Sequence, residues 1–268
     1  MRTFAGHEAA HSEGIDTDAV GKASHAEGEC TLAKGEKSHA EGYHTEALGG
    51  AAHSEGTNTH AINNYSHAEG GYAMAAGEYS HAEGLRTYAD ANGSHAEGTA
   101  IDENAQEIER TVTLPNNKVI TVQGPNAWGR GAHAEGAATV AYGHASHAEG
   151  RDTETRANYA HSEGQSTKAS GLASHAEGRD SIASGNYSHA GGKGTAAKEE
   201  AQTTIGKYNA DESTALFVVG AGASNNNRKN CFTTGNDGTN NYLKVGNVKL
   251  TEAQLQKILN FIDSIEEG

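Results

Sequence analysis

Small and large side chains alternate along most of the chain, in short segments that recur every fourteen residues. Each repeat holds a pentad such as Ser24-His25-Ala26-Glu27-Gly28, followed by a looser segment such as Thr31-Leu32-Ala33-Lys34-Gly35. Alternation with a period of two residues is typical of a β-strand, and the Gly or Asn after each segment provides the positive φ of a tight corner. The pattern predicts a solenoid whose coils each contain two short strands and two corners.

The two faces of the first predicted strand differ in composition. Ser24 and Ala26 share one face and His25 and Glu27 the other, so we expect the small residues to point inward. Ala52-His53-Ser54 exchanges Ser and Ala but keeps one hydroxyl in the coil, which predicts a buried ladder of hydrogen-bonded hydroxyls. The outward residues of the second strand vary freely, and we expect that face to be exposed: Asp18, Leu32, Glu46, His60, Met74, Tyr88, Val140, Glu154, Lys168 and Ile182.

The outward positions of the first strand are nearly uniform along the chain. Such uniformity suggests that this face packs against something equally periodic. We call the set the His–Glu stripe; it comprises His11, His25, His39, His53, His67, His81, His95, His133, His147, His161, His175 and His189, with Glu13, Glu27, Glu41, Glu55, Glu69, Glu83, Glu97, Glu135, Glu149, Glu163 and Glu177. The last coil has Gly191 in place of the glutamate.

The Ser-x-Ala-x-Gly and Thr-x-Ala-x-Gly segments resemble the fourteen-residue head repeats of trimeric autotransporter adhesins. The spelling Ser-His-Ala-Glu-Gly is similar to that of phage and prophage tail-fibre proteins, and the match covers residues 3–197 apart from one insertion. The resemblance implies an all-β, left-handed parallel β-roll that forms a homotrimer, with the His–Glu stripe at the subunit interface. It implies a structural, adhesive fibre segment without enzymatic activity, in a virion tail or at a cell surface.

Three regions follow from the repeat and from where it stops. Residues 1–197 form the predicted roll, with a hairpin insertion at 101–124 that has β-branched runs on either side of Pro115-Asn116-Asn117. Residues 198–249 are predicted to form a β-rich cap that closes the last coil. Candidate receptor-binding residues are Asn116, Asn117 and Lys118 at the hairpin tip and Trp128 at its base, where an indole can contact a sugar. A tolerated loop is the alternative for the hairpin.

Residues 250–268 are predicted to form an amphipathic helix that begins with the capping box Thr251-x-x-Gln254. Leu255, Ile258, Ile262 and Ile265 follow at spacings of three, four and three residues. Ile at alternating core positions of a coiled coil favours three or more strands, so this helix is a second candidate trimer contact. A helix packed on its own cap is the alternative.

Composition limits the partners and the location of the protein. Only 35% of the 268 residues are hydrophobic and the net charge is −15, so the interior must be thin and nucleic acid is not an expected partner. No segment is apolar enough to predict membrane insertion or a targeting signal. The expected partners are two further copies of the chain and a glycan or protein receptor on a host or cell surface. The first residues start in mid-repeat, so we expect further fibre domains before residue 1.

The His–Glu stripe also invites two chemical interpretations. His and Glu are metal ligands, so a metal-binding solenoid is an alternative function, but an unchanged ladder fits structural hydrogen bonding better. We therefore predict no metal and no cofactor. Catalysis is not expected, because it requires one differentiated pocket. We also expect mild acid to charge the histidines and strengthen their pairing with glutamate, with maximal stability in mildly acidic to neutral solution.

Overall fold

The computed structural model describes residues 3–100, 110–113, 119–122 and 124–266. Within them the chain is nearly all β and forms a parallel β-solenoid of about 14 turns with one C-terminal helix. This confirms the predicted all-β solenoid. The chain divides into two compact units, residues 1–163 and 164–268, which are described in turn.

Five-residue strands that begin at the pentad histidines alternate with two- or three-residue strands in the first unit. In chain order the strands are β1 (Thr3–Ala5), β2 (His11–Ile15), β3 (Thr17–Ala19), β4 (His25–Glu29), β5 (Leu32–Ala33), β6 (His39–Tyr43), β7 (Glu46–Ala47), β8 (His53–Thr57), β9 (His60–Ala61), β10 (His67–Gly71), β11 (Met74–Ala75), β12 (His81–Leu85), β13 (Tyr88–Ala89), β14 (His95–Thr99), β15 (Arg110–Thr113), β16 (Val119–Val122), β17 (Asn126–Ala127), β18 (His133–Ala137), β19 (Val140–Ala141), β20 (His147–Arg151), β21 (Glu154–Thr155) and β22 (His161–Gln165).

Each strand pairs in parallel with its copy in the next coil. In the pairing of β10 with β12, His67 lies opposite His81 and Glu69 opposite Glu83. In the sheet of short strands, Met74 of β11 lies opposite Tyr88 of β13. The fourteen-residue register is therefore confirmed, and identical positions of successive coils lie directly above one another.

The interior of the roll is made of small residues, as predicted. Ala26 and Ala40 are completely buried in the first strand, and Ala33 and Ala47 in the second. The largest fully buried side chains are no larger than Val, Asn or Thr. The core is therefore only one or two small side chains thick, and backbone pairing between coils must contribute much of the stability.

The interior hydroxyls are satisfied differently from the prediction. Where a coil has Ser before the histidine, Oγ donates to the carbonyl three residues earlier, as from Ser24 to Gly21 at 2.7 Å. In the exchanged coil, Ser54 Oγ lies on the other side of the histidine and bonds Thr59 Oγ1 at 2.8 Å. For these residues the predicted ladder between coils is wrong, because each hydroxyl is satisfied within its own coil.

The corners depend less on glycine conformation than the sequence suggested. Gly28 and its equivalents do have a positive φ, but Gly35 and its equivalents do not. Gly35 is required instead because a Cβ there would overlap the backbone at Gly49 of the next coil. The left-handed corner positions recur every seven residues and are mostly occupied by other residues, such as Lys37 (φ 58°) and Tyr65 (φ 58°).

The insertion contains an antiparallel hairpin, as predicted, in which Val112 of β15 lies opposite Ile120 of β16. After it, Asn126 of β17 pairs with Tyr88 on one side and Val140 on the other, so the register closes over the insertion. The tip residues Asn116, Asn117 and Lys118 lie outside the described residues.

The second unit continues with the same two kinds of strand and then changes to an antiparallel sheet. Its strands are β23 (Lys168–Ala169), β24 (His175–Arg179), β25 (Ile182–Ala183), β26 (His189–Lys193), β27 (Ala196–Ala197), β28 (Thr203–Lys207), β29 (Ala215–Ala221), β30 (Asn230–Asn236), β31 (Asn241–Val245) and β32 (Val248–Thr251).

Parallel pairing in the second unit extends past residue 197, because β28 pairs with β26 and β29 pairs with β28. Strands β29 to β32 then form an antiparallel meander. Its buried side chains are Ala215, Val218, Thr233 and Tyr242. In the parallel coils of the second unit, one hydroxyl contact runs between coils, from Thr195 Oγ1 to Ser181 Oγ at 3.0 Å.

The chain ends in helix α1 (Glu252–Glu266). The predicted capping box is present: Thr251 N donates to Gln254 Oε1 at 2.9 Å, and Gln254 N donates to Thr251 Oγ1 at 3.4 Å. Ile258, Ile262 and Ile265 are 45%, 45% and 62% exposed, so the cap does not cover these three side chains, whereas Leu255 is half-buried. Among the described residues no helix has the length and apolar character needed to cross a membrane.

Candidate functional site

The histidines of the His–Glu stripe form continuous stacks along the first unit. Because the strands are in register, each imidazole lies directly over the next. The ring centroids of His25 and His39 are 4.7 Å apart, and the ring planes are inclined by 4°. For His39 and His53 the centroid distance is 4.9 Å and the inclination 2°. The stack continues across the insertion, with His95 and His133 at 4.7 Å and 2°. One side of the roll thus presents an ordered column of imidazoles.

The glutamates lie beside this column at the edge of hydrogen-bonding distance. His67 Nε2 is 3.6 Å from Glu69 Oε2 of its own coil. His53 Nε2 is 3.8 Å from Glu55 of its own coil and 3.6 Å from Glu41 of the preceding coil. These Nε2 atoms are hidden from solvent but make no hydrogen bond within the described chain, although about one third of each side chain remains exposed.

The first and last repeats of the His–Glu stripe differ from those between them. In the first coil the side chains of His11 and Glu13 are 63% and 60% exposed and their closest atoms are 4.0 Å apart. In the last coil, where Gly191 replaces the glutamate, His189 Nε2 is 3.2 Å from Glu177 Oε1 of the coil before. His189, which has no glutamate in its own coil, therefore pairs with the one in the preceding coil.

Burial lowers the pKa of the His67 imidazole, and the stacked rings of His81 and His53 lower it further, while Glu55 and Glu83 act in the opposite direction. The pKa of His133 is lowered for the same reasons, burial first. Desolvation and repulsion between stacked cations both disfavour the charged form. The neutral imidazoles that these shifts favour at His67 and His133 can accept hydrogen bonds, donate them or bind metal ions.

The opposite sheet is less exposed than predicted. Ile182 is 42% exposed, but Val140 and Glu154 are only 1% and 6% exposed, so the prediction of a solvated face is wrong for these two. Their neighbours explain the burial. Arg156 forms an ion pair with Glu154, and the rings of Trp128 and Tyr142 lie in the same column of the coils as Arg156.

Trp128 lies in a cleft, together with residues of three further coils. The cavity has a volume of about 310 Å³. The Trp128 and Tyr142 rings are 6.0 Å apart and inclined by 51°, and Trp128 Nε1 is hidden from solvent with no hydrogen-bond partner among the described residues. The other lining side chains are Asp90, His144, Arg156 and Asn158.

Only Trp128 of this cleft was singled out from the sequence. Tyr142, Arg156 and Asp90 were missed, although the fourteen-residue register, with the insertion removed, places all three in one column with Trp128. The exposed corner tyrosines Tyr65 and Tyr79, whose rings stack 4.9 Å apart, were missed as well. A column-by-column alignment of the coils would have found both groups.

Comparison with known proteins adds no family assignment. No protein-family model matches the chain, and no curated protein matches it.

Proposed function

We propose that the chain is a structural, non-enzymatic segment of a homotrimeric fibre that binds a receptor on a bacterial host or other cell surface. The observation that carries the proposal is the exposed apolar face of α1, with Ile258, Ile262 and Ile265 uncovered. A 15-residue helix is marginal in water by itself, and an uncovered row of isoleucines on it is explained by association with other helices. Ile at alternating core positions of a coiled coil favours an assembly of three or more helices.

The His–Glu stripe supplies a second surface for the same association. The His and Glu side chains of its middle coils are about one third exposed, and the hidden Nε2 atoms of His39, His53 and His67 lie 3.5–3.8 Å from carboxylate oxygens without a hydrogen bond. Two further stripes packed against it would add donors and acceptors, and a buried polar interface is stable only when these groups are paired. The three rolls, left-handed in this proposal, pack with their stripes facing a common axis.

The surroundings of such a fibre fit the remaining properties of the chain. A net charge of −15 keeps a long exposed structure soluble and opposes non-specific binding to nucleic acid. The fibre belongs to a phage or prophage tail, with the head domain of a bacterial trimeric autotransporter adhesin as the alternative of the same class.

Cysteine cross-linking tests the orientation of the rolls. Cys30 and Cys231, which are free, are first changed to Ser. Glu69→Cys then places a thiol in the stripe, and Met74→Cys places one on the opposite sheet as the matched control. We expect mild oxidation to give disulfide-linked dimers of the Glu69→Cys chain only, because a disulfide requires Cα atoms less than about 7 Å apart. Links through Met74→Cys, or at neither position, would contradict an interface at the stripe.

A specific observation favours metal binding as a second candidate function. Ligand atoms of His67, Glu69 and His81 lie within 4.8 Å of one another, and the same grouping recurs along the roll. Neutral imidazole and carboxylate suit Zn²⁺, and the lowered pKa of His67 keeps its imidazole neutral. Calorimetric titration with Zn²⁺ tests this: a metal-binding solenoid takes up several ions per chain and fewer after His67→Ala, whereas no heat of binding rules the candidate out.

A further inference from the structure

We propose that the cleft around Trp128 binds a neutral pyranose unit of a glycan. The inference rests on the proposed function, because it names the chemical class of the receptor and the part of the roll that contacts it. It places the contact on the sheet of short strands, on the opposite side of each coil from the His–Glu stripe.

The cleft is a differentiated site on an otherwise repetitive structure. Asp90, Trp128, Tyr142 and Arg156 occupy the position two residues after the outward residue of the short strand. At this position the other coils have small, aliphatic or basic residues: Gly6, Val20, Lys34, Leu48, Ile62, Ala76, Ser170, Ser184 and Lys198. Both aromatic residues of the column are therefore adjacent to each other and adjacent to the insertion. If the residues of this face varied independently, the two aromatic side chains would have no reason to lie side by side.

The charged groups of the cleft are held in place by neighbouring side chains. Arg156 Nε donates to Glu154 Oε1, and the Glu154 side chain is 8% exposed. Burial of a carboxylate is costly unless it is paired, so this ion pair fixes the guanidinium firmly. Tyr88 Oη donates to Asp90 Oδ1 at 3.0 Å, and burial, reinforced by Asp90, raises the pKa of Tyr88 to about 12. Both side chains are thus ordered before a ligand arrives, which reduces the entropic cost of binding.

The backbone of neighbouring coils orders the remaining polar groups. His144 N donates to Asn158 Oδ1 at 3.0 Å. This hydrogen bond fixes the plane of the Asn158 amide and therefore the direction of its Nδ2 group. His144 Nδ1 accepts from Arg130 N at 3.1 Å, so the proton of a neutral His144 ring is on Nε2. The site therefore combines two aromatic rings with a carboxylate, a guanidinium, an amide and an imidazole N–H.

This combination matches the surface of a pyranose ring. A sugar ring has an apolar face of C–H groups and a rim of hydroxyls, and aromatic side chains offer a rigid apolar surface beside polar groups. The carboxylate can accept hydrogen bonds from the sugar hydroxyls, the guanidinium can donate to them, and the amide can do both. The carboxylate of Glu154 neutralises the guanidinium of Arg156, whereas the charge of the Asp90 carboxylate is not neutralised. The site therefore carries a net negative charge, which disfavours acidic sugars. The chemistry therefore selects a neutral sugar.

Intrinsic fluorescence tests the proposal directly, because Trp128 is the single tryptophan of the chain. The full chain is titrated separately with N-acetylglucosamine, galactose and methyl β-glucopyranoside, and with N-acetylneuraminic acid as the acidic probe. We expect a saturable change with at least one neutral sugar and none with the acidic one. Asn158→Ala changes an exposed residue and should weaken binding by about tenfold, the loss expected for one hydrogen bond. Leu32→Ala, on the same sheet but four coils before Tyr88, should leave binding unchanged.

No fluorescence change with any neutral sugar up to high millimolar concentration would overturn the proposal. Binding of the acidic sugar alone, or equal binding by wild type and Asn158→Ala, would also overturn it. Sedimentation of the same samples separates the two claims. A trimer that binds no neutral sugar contradicts this site and leaves the fibre proposal standing, whereas a monomer that binds one supports this site and contradicts the trimer.

Discussion

The imidazole rings of His67 and His81 lie nearly parallel, with centroids 4.7 Å apart and planes inclined by 7°. Two protonated rings at this distance repel each other, and both are partly removed from water. The stack is therefore compatible with neutral histidines and is opposed by protonation. This relationship reverses the expectation that mild acid strengthens the roll.

Stability should fall in mild acid. The pKa of His67 is lowered in the folded chain from an ordinary value of 6.5, so below about pH 6.5 the unfolded chain binds more protons than the folded one. The free energy of unfolding then decreases as pH falls through this window, and His133 contributes with the same sign. Urea denaturation between about pH 7.5 and 5.5 measures the effect.

A matched pair of variants assigns this pH dependence to the stripe. His67→Gln should flatten the pH profile in part, because one destabilising protonation is removed. His44→Gln, at an exposed corner outside the stripe, should leave the profile unchanged. Stability that is equal or higher at pH 5.5 would show that the histidines gain more from glutamate than they lose by repulsion.

Glycine at the end of the pentad should be intolerant of a side chain. Gly28 has a φ of 109°, and a Cβ there would overlap the carbonyl oxygen of Gly42 in the next coil. We expect Gly28→Ala to lower the free energy of unfolding by several kcal/mol, on the order of 3 or more. Gly93→Ala is the control, since Gly93 has a φ of 66° with open space around it and should lose only about 1 kcal/mol. Equal losses would show that contact between coils is not the reason for the glycine.

In a coil that contains it, the interior hydroxyl should be interchangeable between its two positions, and its removal should destabilise the roll. Ser54→Ala removes one of the two partners of the buried Thr59 hydroxyl, which still donates to the Glu55 carbonyl at 3.1 Å, and should cost about 1 kcal/mol. Adding Ala52→Ser provides a hydroxyl on the other side of His53, where Ser24 and its equivalents bond a corner carbonyl. The double variant should therefore recover part of the loss in thermal denaturation. A double variant that is less stable than Ser54→Ala would refute the two-position account.

Residues 101–124 should be dispensable for folding. Asn126 pairs with both Tyr88 and Val140, so the coil is continuous without the insertion. Deletion makes Ala100 a corner residue, a role that Ala138 fulfils at the equivalent position with a φ of 54°. We expect the deleted chain to keep its β circular dichroism and its oligomeric mass. Aggregation or loss of the β signal would show that the hairpin supports the roll.

The sequence predicted the parts of the fold that repeat and missed those that depend on neighbouring coils. The fourteen-residue period fixes the register, since a slip of one residue would bring His25 and Glu27 into a core that accepts only Ala, Ser and Thr. The left-handed conformation of Lys37 has no local signal. It is supported by a hydrogen bond from its N–H to the Lys22 carbonyl of the preceding coil, at 2.8 Å.

The cleft could be predicted only in part for a related reason. Trp128 stands out as the single tryptophan, but the burial of Glu154 depends on bulky residues that stack above and beside it from other coils. Such burial cannot be derived from the composition of one repeat. The boundary of the roll is similar: Thr203-Thr204-Ile205-Gly206 has lost the pentad spelling, yet it pairs with β26 as another coil.

Sedimentation equilibrium of the full chain measures whether it forms a trimer. We expect a single species of about three times the chain mass of 27.8 kDa at neutral pH. Ile262→Asp, which places a charge in the apolar face of α1, should shift this species toward lower mass, while Gln256→Asp on the same helix should not. A wild-type mass equal to that of one chain would contradict the trimer and leave both the His–Glu stripe and the isoleucine face without a partner.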